Sequence, residues 1–349
     1  MQLIRGDKKR TASLHNKLTM KAVDPMSMIM FSRAIFSSGV IARSSYYYHT
    51  LLSDNVLSCK GSCNISGRYL QYPKKHSIEI IMASGGQQFQ PQKQDRQPGK
   101  EHAMDPIPNS TSHEYKPSNK LRGKVALVTG GDSGIGRAVC HCFALEGATV
   151  AFTYVKGQED KDADDTLQLI KQANAGDASS KNPMALAADL GYDHNCKRVV
   201  EEVVNAYGRI DILVNNAAEQ HKANSVEEIG EERLERVFRT NIFAHFFMVR
   251  HALNHQRAIV AFTRGLALQL VQKGIRVNGV APGPVWTPLI PASVSQEQET
   301  SQFGTQVPMG RAGQPYEILP SYVFLASQTD SSYITGQVLH PNGGMIVNA

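Results

Sequence analysis

A glycine-rich stretch at residues 129–136, Thr-Gly-Gly-Asp-Ser-Gly-Ile-Gly, has the residue types that point most clearly to ligand chemistry. It follows the apolar run Val125–Val128 and opens into a segment with apolar residues at helical spacing. Glycines let a backbone turn tightly and approach a ligand, because no Cβ stands in the way. The start of a helix then offers N–H groups and partial positive charge to a pyrophosphate. Strand, turn and helix together predict a dinucleotide site, and the alternative is a tight turn in an ordinary α/β protein.

The spacing of these glycines points to a particular family. Gly-x-x-x-Gly-x-Gly replaces the commoner Gly-x-Gly-x-x-Gly, and with Thr129 it resembles the signature of the short-chain dehydrogenase/reductase family. Asn-Asn-Ala-Ala at 215–218, Asn241 and Ala-Pro-Gly-Pro-Val-Trp-Thr at 281–287 follow in the family's order. Ordered matches cover about residues 120–349. The preceding segment, with Gln-Pro-Gln-Lys at 90–93 and Pro-Gly-Lys-Glu at 98–101, is similar to plant glucose and ribitol dehydrogenase homologues within the family.

The resemblance implies a set of site residues. Asp189 matches the family's adenine-contacting acid, and the turn at 282–287 would embrace the nicotinamide end of the cofactor. Asn241 matches the helix asparagine of the catalytic relay and is the one relay residue that remains. The predicted cofactor-binding residues are Gly130, Ser133, Gly134, Ile135, Gly136, Lys156, Asp189, Leu190, Asn216, Ala217, Pro282, Gly283, Val285 and Thr287.

The end of the second predicted strand bears on the choice between NADP and NAD. An acid at that point would hydrogen-bond the ribose 2′-OH of NAD. The sequence there is Tyr154, Val155, Lys156, without an acid. Lys156 could meet a 2′-phosphate, which favours NADP over NAD, and the alternative is an exposed loop lysine.

The proton relay that the family uses is missing. Hydride transfer to or from a carbinol needs a group that moves a proton at the reacting oxygen. In the family this is a Tyr, assisted by a Lys four residues on and a Ser upstream. None of the 12 tyrosines has a Lys at that spacing. Tyr69 and Tyr192 have one five residues on, which a helix turns away by about 100°.

The gap can be located between Asn241 and Arg276. The family places a strand, the Ser loop and the Tyr-Lys helix there, whereas residues 252–257 run directly into 258–263, which resemble the back half of that helix. Roughly thirty residues are absent near 255–257. Residues 234–273 are then predicted to form one helix of about forty residues with a bend at 254–257. The strand at 275–278 is predicted to pair beside Val214, unless two sheet edges stay open.

The rest of the body alternates strands with helices, which predicts an α/β fold with a doubly wound, Rossmann-like parallel sheet lacking one central strand. The predicted strands are 125–128, 149–154, 184–187, 210–214, 275–278 and a last one within 335–344. The acidic run at 159–165 is interpreted as a solvated helix start rather than a metal site. Trp286 is interpreted as a packing or lid residue, and His245 and His251 have no identified partner.

Composition separates three regions. Residues 1–81 hold twelve Lys/Arg against four acids, so the net charge of +6 comes from this basic leader and not from a nucleic-acid-binding face. The leader is a possible transit peptide or a disordered extension. Residues 82–119 form a polar Gln/Pro-rich arm that could lie along a folded body, and 120–349 form the dinucleotide-binding domain. No run of 18 apolar residues predicts a membrane span.

Three functions stay open. The family implies an NAD(P)-dependent oxidoreductase acting on a CH–OH group of a sugar or polyol, in the cytoplasm, or in a mitochondrion or plastid if the leader is a transit peptide. The family also implies a homo-oligomer, although the associating surface is truncated here. The missing relay favours an inactive dinucleotide-binding or subunit-interaction protein. The third possibility is an incomplete copy of an active dehydrogenase.

Overall fold

The computed structural model describes residues 89–175, 181–252 and 261–347. A four-stranded parallel sheet has the order β3-β2-β1-β4. Its strands are β1 (Val125–Val128), β2 (Thr149–Tyr154), β3 (Met184–Ala187) and β4 (Ile212–Val214). A separate parallel pair consists of β5 (Gly279–Val280) and β6 (Val338–Leu339). The helices are α1 (Gly134–Leu145), α2 (Asp160–Ala173), α3 (Asp193–Tyr207), α4 (Glu231–Phe238), α5 (Ala244–Ala252), α6 (Ala261–Leu270), α7 (Gln298–Ser301), α8 (Pro315–Ala326) and α9 (Gln328–Ser331).

Helices cover both faces of the larger sheet, as the alternating sequence pattern predicts. One core joins β1 and β2 to α1, α2 and α8, and it contains Phe143, Phe152 and Ile170. The other core lies between the sheet and helices α3 and α5, and it contains Val199 and Met248. The fold is α/β with a doubly wound parallel sheet, and the carboxyl ends of β1 to β4 share one edge.

Of the two predicted arrangements, pairing of the segment after residue 275 beside Val214 is wrong, and the one with two open sheet edges is found in the described residues. In the described ranges β4 pairs only with β1, while β5 pairs only with β6. The backbone of Val277 is occupied by the segment before β6. Its carbonyl accepts the Gly336 N–H (2.7 Å), and its N–H donates to Thr335 Oγ1 (3.1 Å). The sheet is therefore split, with open edges at β4 and β5.

The long predicted helix is only partly visible. A helical path begins at Glu231, passes through a π-helical segment at Arg239–Phe243 and continues as α5 to Ala252. Helix α6 begins at Ala261 and ends in a 3₁₀ turn at Val271–Lys273. The bend predicted at 254–257 and the junction itself lie outside the described residues.

The polar arm runs along the body. The Phe89 ring stacks on the Trp286 ring with centroids 3.8 Å apart, and Trp286 Nε1 donates to the Pro106 carbonyl (2.8 Å). Met104 and Ala312 complete this small core. Trp286 is fully buried, in agreement with its interpretation as a packing residue. The leader at 1–81 lies outside the described residues, and no helix in the described ranges is long and apolar enough to cross a membrane.

Three side-chain interpretations need correction. Glu159 and Asp162 are buried rather than solvated. The Glu159 carboxylate accepts the Val155 N–H (2.7 Å), and the Asp162 carboxylate accepts the N–H of Glu101 in the arm (2.8 Å). His251 has a partner, since its Nε2 lies 2.7 Å from Asp193 Oδ1. His245 Nε2 lies 3.5 Å from the carbonyl of Ala217.

Candidate functional site

The glycines of the turn between β1 and α1 stand where other residues would not fit. Gly134 has a φ of +53°, in the left-handed region that favours glycine. A Cβ on Gly136 would lie 1.9 Å from the carbonyl oxygen of Gly130. The turn therefore requires glycine at these positions, as the sequence motif predicts.

Thr129 and Asn216 join the turn to the end of β4. The Asn216 side-chain amide donates to the carbonyls of Thr129 (3.0 Å) and Gly130 (2.9 Å). Thr129 Oγ1 accepts the N–H groups of Asn216 (2.9 Å) and Ala217 (3.0 Å). The Asn216 side chain thus positions the glycine-rich turn, and the backbone of Asn216 and Ala217 lies next to this turn.

The start of α1 supplies the donors that a pyrophosphate needs. The first N–H groups of a helix have no acceptor within it. Ser133 is the N-cap residue but makes no side-chain capping bond. The Gly134 N–H donates to the carboxylate of Glu101, which belongs to the arm. Ile135 and Gly136 come next in the first turn of α1, and N–H groups in such positions are suited to phosphate oxygens, so the residues present fit a dinucleotide.

Asp189 and Leu190 follow β3 in different environments. The Asp189 carboxylate accepts from Arg236 Nη1 (2.7 Å) and from the Gly191 N–H (3.0 Å). Arg236 also binds Glu219 through Nε at 2.9 Å. Although burial opposes it, hydrogen bonds from His221 and Arg236 hold the pKa of Glu219 below its ordinary value. The Leu190 side chain is buried in the α3 core, so only its backbone is available to a ligand.

A cavity of about 470 Å³ lies beyond the end of β2. One wall is formed by Val155 and Gln158, which flank the exposed Lys156 in the sequence. Another wall contains Glu219 and Arg236, and arm residues 95–98 close the third side. Ligands of open α/β sheets bind outside the carboxyl ends of the strands, which is where this cavity lies.

In the turn predicted to embrace the nicotinamide end, Gly283 and Val285 pack against other parts of the protein, whereas Thr287 lies beside the glycine-rich turn. A Cβ on Gly283 would lie 2.5 Å from the Asn342 backbone, so this glycine allows close packing against the final loop. Val285 is buried and bridges to Gly313. Thr287 reaches the glycine-rich turn, since a Cβ on Gly134 would lie 3.0 Å from Thr287 Cγ2. Pro282 precedes Gly283, whose N–H donates to the Pro341 carbonyl (2.8 Å).

Asn241 lies buried in the π-helical segment. Its Oδ1 accepts the Glu219 N–H (2.8 Å), and its Nδ2 donates to the Glu219 carbonyl (2.8 Å). Such π segments occur often at functional sites. The side chain predicted as catalytic therefore fixes the loop that follows β4.

A group of buried acids beneath the turn was not predicted. It comprises Glu101, Asp132, Glu159 and Asp162, and the carboxylates of Glu101 and Asp162 accept hydrogen bonds from the guanidinium of Arg137. Burial raises the pKa of Glu101 to about 7, although Arg137 lowers it. The sequence held one signal for this group, an arginine directly after the last glycine of the motif. In the described part of the chain, no three His, Cys, Asp or Glu side chains could together hold a metal ion.

Comparison with known proteins gives consistent relatives. Residues 124–258 match the family model described as short chain dehydrogenase, and residues 254–346 match the one described as Enoyl-(Acyl carrier protein) reductase. A glucose and ribitol dehydrogenase of Daucus carota is 67% identical over 295 residues, covering 76% of this chain and 100% of the relative. The chloroplastic NADPH-dependent aldehyde reductase 1 of Arabidopsis thaliana is 63% identical over 286 residues, covering 74% of this chain and 98% of the relative.

Solved structures share the fold. The 3-ketoacyl-(acyl-carrier-protein) reductase of Brucella melitensis, complexed with NADH, superposes with a TM-score of 0.55 at 27% identity. The superposition covers 64% of this chain and 98% of that structure.

Proposed function

We propose, on the premise that the chain belongs to the short-chain dehydrogenase/reductase family, that it binds a nicotinamide dinucleotide but transfers hydride far more slowly than its relatives. Members of this family are NAD(P)-dependent oxidoreductases that act on small molecules, and a sugar or polyol is the substrate class proposed here. The observation that carries the proposal is a glycine-rich turn beside a sheet whose last strand, among the described residues, is β4.

The binding half of the proposal depends on the turn. Thr129 and Asn216 hold the ends of β1 and β4 together, and the glycines bring the backbone within reach of a ligand. The N–H groups of Ile135 and Gly136 would hold the pyrophosphate, with Thr287 above the helix start. The bound cofactor would supply or accept the hydride.

The catalytic half depends on what lies between α5 and α6. The match to the carrot relative runs over 295 residues but occupies 76% of 349 residues, about 265, so about 30 positions of the relative have no counterpart here. The two family-model matches meet at 254–258, where the relay block was predicted to be missing. These two facts support a deletion of the Ser and Tyr-x-x-x-Lys block.

Loss of this block has a rate consequence. A general acid–base group contributes typically about 10²–10⁴-fold to a rate. Asn241 cannot replace it, because both ends of its amide are bonded to the Glu219 backbone. The missing strand would also have formed part of the wall around the substrate.

Grafting tests the proposal. The stretch of the carrot relative without a counterpart here would be inserted between Arg257 and Ala258, and turnover measured with ribitol or glucose and NADP or NAD. We expect the graft to raise turnover at least 100-fold, because it restores the proton relay. The control is the same graft with Phe in place of its Tyr of Tyr-x-x-x-Lys, which should remain near the ungrafted rate. Equal turnover with and without the graft would contradict the proposal.

A second candidate is that the sequence is an incomplete copy of an active dehydrogenase. An identity of 67% with a relative that has about 30 unmatched positions favours loss of a block over gradual divergence. Sequencing of the transcript, or of tryptic peptides, across residues 252–262 decides between the two. Continuous His255-Gln256-Arg257-Ala258 in expressed protein supports the inactive binder, and about thirty extra residues support the active enzyme.

For the cofactor we propose NADP, since Lys156 follows β2 without an acid at the strand end. For the location we propose a plastid or mitochondrion if the leader is cleaved as a transit peptide, and the cytoplasm otherwise. The Arabidopsis relative named chloroplastic supports the first of these. For the assembly we propose a weakened homo-oligomer, because the family associates through the helix that is truncated here.

A further inference from the structure

The arm contributes one carboxylate directly to the phosphate-binding turn. Glu101 lies in a short 3₁₀ turn of the arm, Glu101–Ala103, and its side chain is 1% exposed. Its Oε2 accepts the N–H of Gly134, the first residue of α1, and its Oε1 accepts from Arg137 Nη1 (2.7 Å). Glu101 therefore contacts Gly134 and Arg137, the two residues that flank Ile135 and Gly136, whose N–H groups are proposed to hold the pyrophosphate.

Arg137 extends this contact to the turn itself. Its Nε donates to the carbonyl of Asp132 (2.8 Å) and lies 2.9 Å from Thr166 Oγ1, whose hydroxyl also donates to Asp132 (2.9 Å). Its Nη2 donates to the carbonyl of Asp162 (3.0 Å). The turn backbone is thus held at Asp132 by Arg137 and at Gly134 by Glu101.

The arm is locked onto the same group through its backbone. The Asp162 carboxylate accepts the N–H of Glu101 (2.8 Å) and that of His102 (3.0 Å). Further along, Gln97 Nε2 donates to the Gln220 carbonyl (3.0 Å) and to Ser293 Oγ (3.1 Å). Arm residues 95–98 also line the cavity beside β2. The arm therefore touches the candidate site at two independent places.

We infer that the arm is a working part of the dinucleotide site and that Glu101 is a positioning residue, which sets the geometry of the turn for pyrophosphate binding. The inference rests on the proposed function. A carboxylate in this place orders the first turn of α1 before the ligand arrives, so less ordering remains to be done on binding. Coupling is reciprocal, so a ligand that engages the turn must also stabilise the docked arm.

The test compares ligands that contain a pyrophosphate with one that does not. Full-length wild type, Glu101→Ala and Glu101→Gln would be titrated with NADPH by its fluorescence, and with ADP and adenosine by competition. We expect both variants to bind NADPH and ADP at least tenfold more weakly, and to bind adenosine within about twofold of wild type. Glu114→Ala removes an exposed arm carboxylate and serves as the matched control, with all affinities unchanged.

A second measurement needs no variant. Trypsin cleavage of the wild type at Arg96 and Lys100 should slow when ADP is bound and remain unchanged with adenosine. Equal loss of adenosine and ADP affinity in the Glu101 variants would overturn the inference, as would ADP affinity like that of wild type or cleavage insensitive to ADP. A wild type that binds neither NADPH nor ADP would instead overturn the proposed function, and the inference with it.

Discussion

Glu159 and Asp132 are acids buried together beneath the glycine-rich turn. Burial raises the pKa of Glu159 from an ordinary value of 4.5 to about 9, and that of Asp132 from 3.8 to about 6. The folded protein therefore holds these protons more tightly than the unfolded chain does. Their contribution to stability is fully present below about pH 4 and is lost as the pH rises through 6 and then 9.

This titration gives a measurable pH dependence. The free energy of unfolding from urea titrations should fall between pH 6 and pH 9, by at most about 1.4 kcal/mol per pH unit for each proton. Glu159→Gln removes the larger titration, so its decline should be shallower than that of wild type. Glu114→Gln is the exposed control and should decline like wild type. A Glu159→Gln decline as steep as that of wild type would show that Glu159 does not titrate in this range.

Lys156 is the residue on which the proposed preference for NADP rests. It is exposed, and it lies between two residues that line the cavity, Val155 and Gln158. Lys156→Glu places an acid where NAD-binding relatives of the fold hold the ribose 2′-OH, and it repels a 2′-phosphate. We expect NADPH affinity to fall at least tenfold and NADH affinity to hold or rise, measured by fluorescence titration. Lys161→Glu, on the exposed face of α2, is the control, and tighter NADH than NADPH binding by wild type would contradict the preference.

At the residue scale, the site residues that could be predicted are those whose roles depend only on neighbouring stretches of the sequence. Gly134 and Gly136 are required by a backbone that turns within seven residues, and Asn216 sits directly after a strand that must meet that turn. Glu101 could not be predicted, because its contact with Arg137 joins positions 36 residues apart in a polar, Gln/Pro-rich segment. Burial of Asp162 likewise depends on where the arm lies, because its carboxylate accepts two arm N–H groups.

At the scale of elements, β2 and β3 have the predicted bounds because β-branched or apolar runs end at clear turn residues. The strands near the C-terminus differ. Residues 275–278 pack Ile275 and Val277 against α6, and only Gly279 and Val280 pair with the last strand. The sequence pattern locates an apolar strand, but it does not say which neighbouring strand accepts and donates its backbone hydrogen bonds.

The split sheet has a further consequence for α5 and α6. Val249, Leu266 and Leu270 form a small core with Leu213 from β4. Apolar side chains of β4, α5 and α6 are thus in contact, although no backbone pairing joins β4 to β5 in the described residues. Ile275 and Val277, which precede β5, pack against the same core, so apolar contacts connect the β5 segment with β4 of the larger sheet.

At the scale of the whole molecule, the described residues contain a four-stranded parallel sheet, which holds the glycine-rich turn, and a separate two-stranded pair. The sequence predicts the α/β class and the coverage of both sheet faces, because alternating strands and helices allow few other arrangements. It allows an arm along the body but not its docking on Trp286 and the α1 start, since that surface exists only after folding. We therefore propose intact cofactor binding together with impaired hydride transfer.

The most direct test measures both properties on the same protein. NADPH would be titrated into full-length wild type, and turnover would be assayed with ribitol, glucose and small aldehydes beside the carrot relative. Gly136→Ala, whose Cβ would collide with the Gly130 carbonyl, is the binding-deficient control. We predict saturable NADPH binding to wild type but not to Gly136→Ala, with wild-type turnover at least 100-fold below that of the relative. Turnover comparable to the relative, or no saturable binding by wild type, would contradict the account.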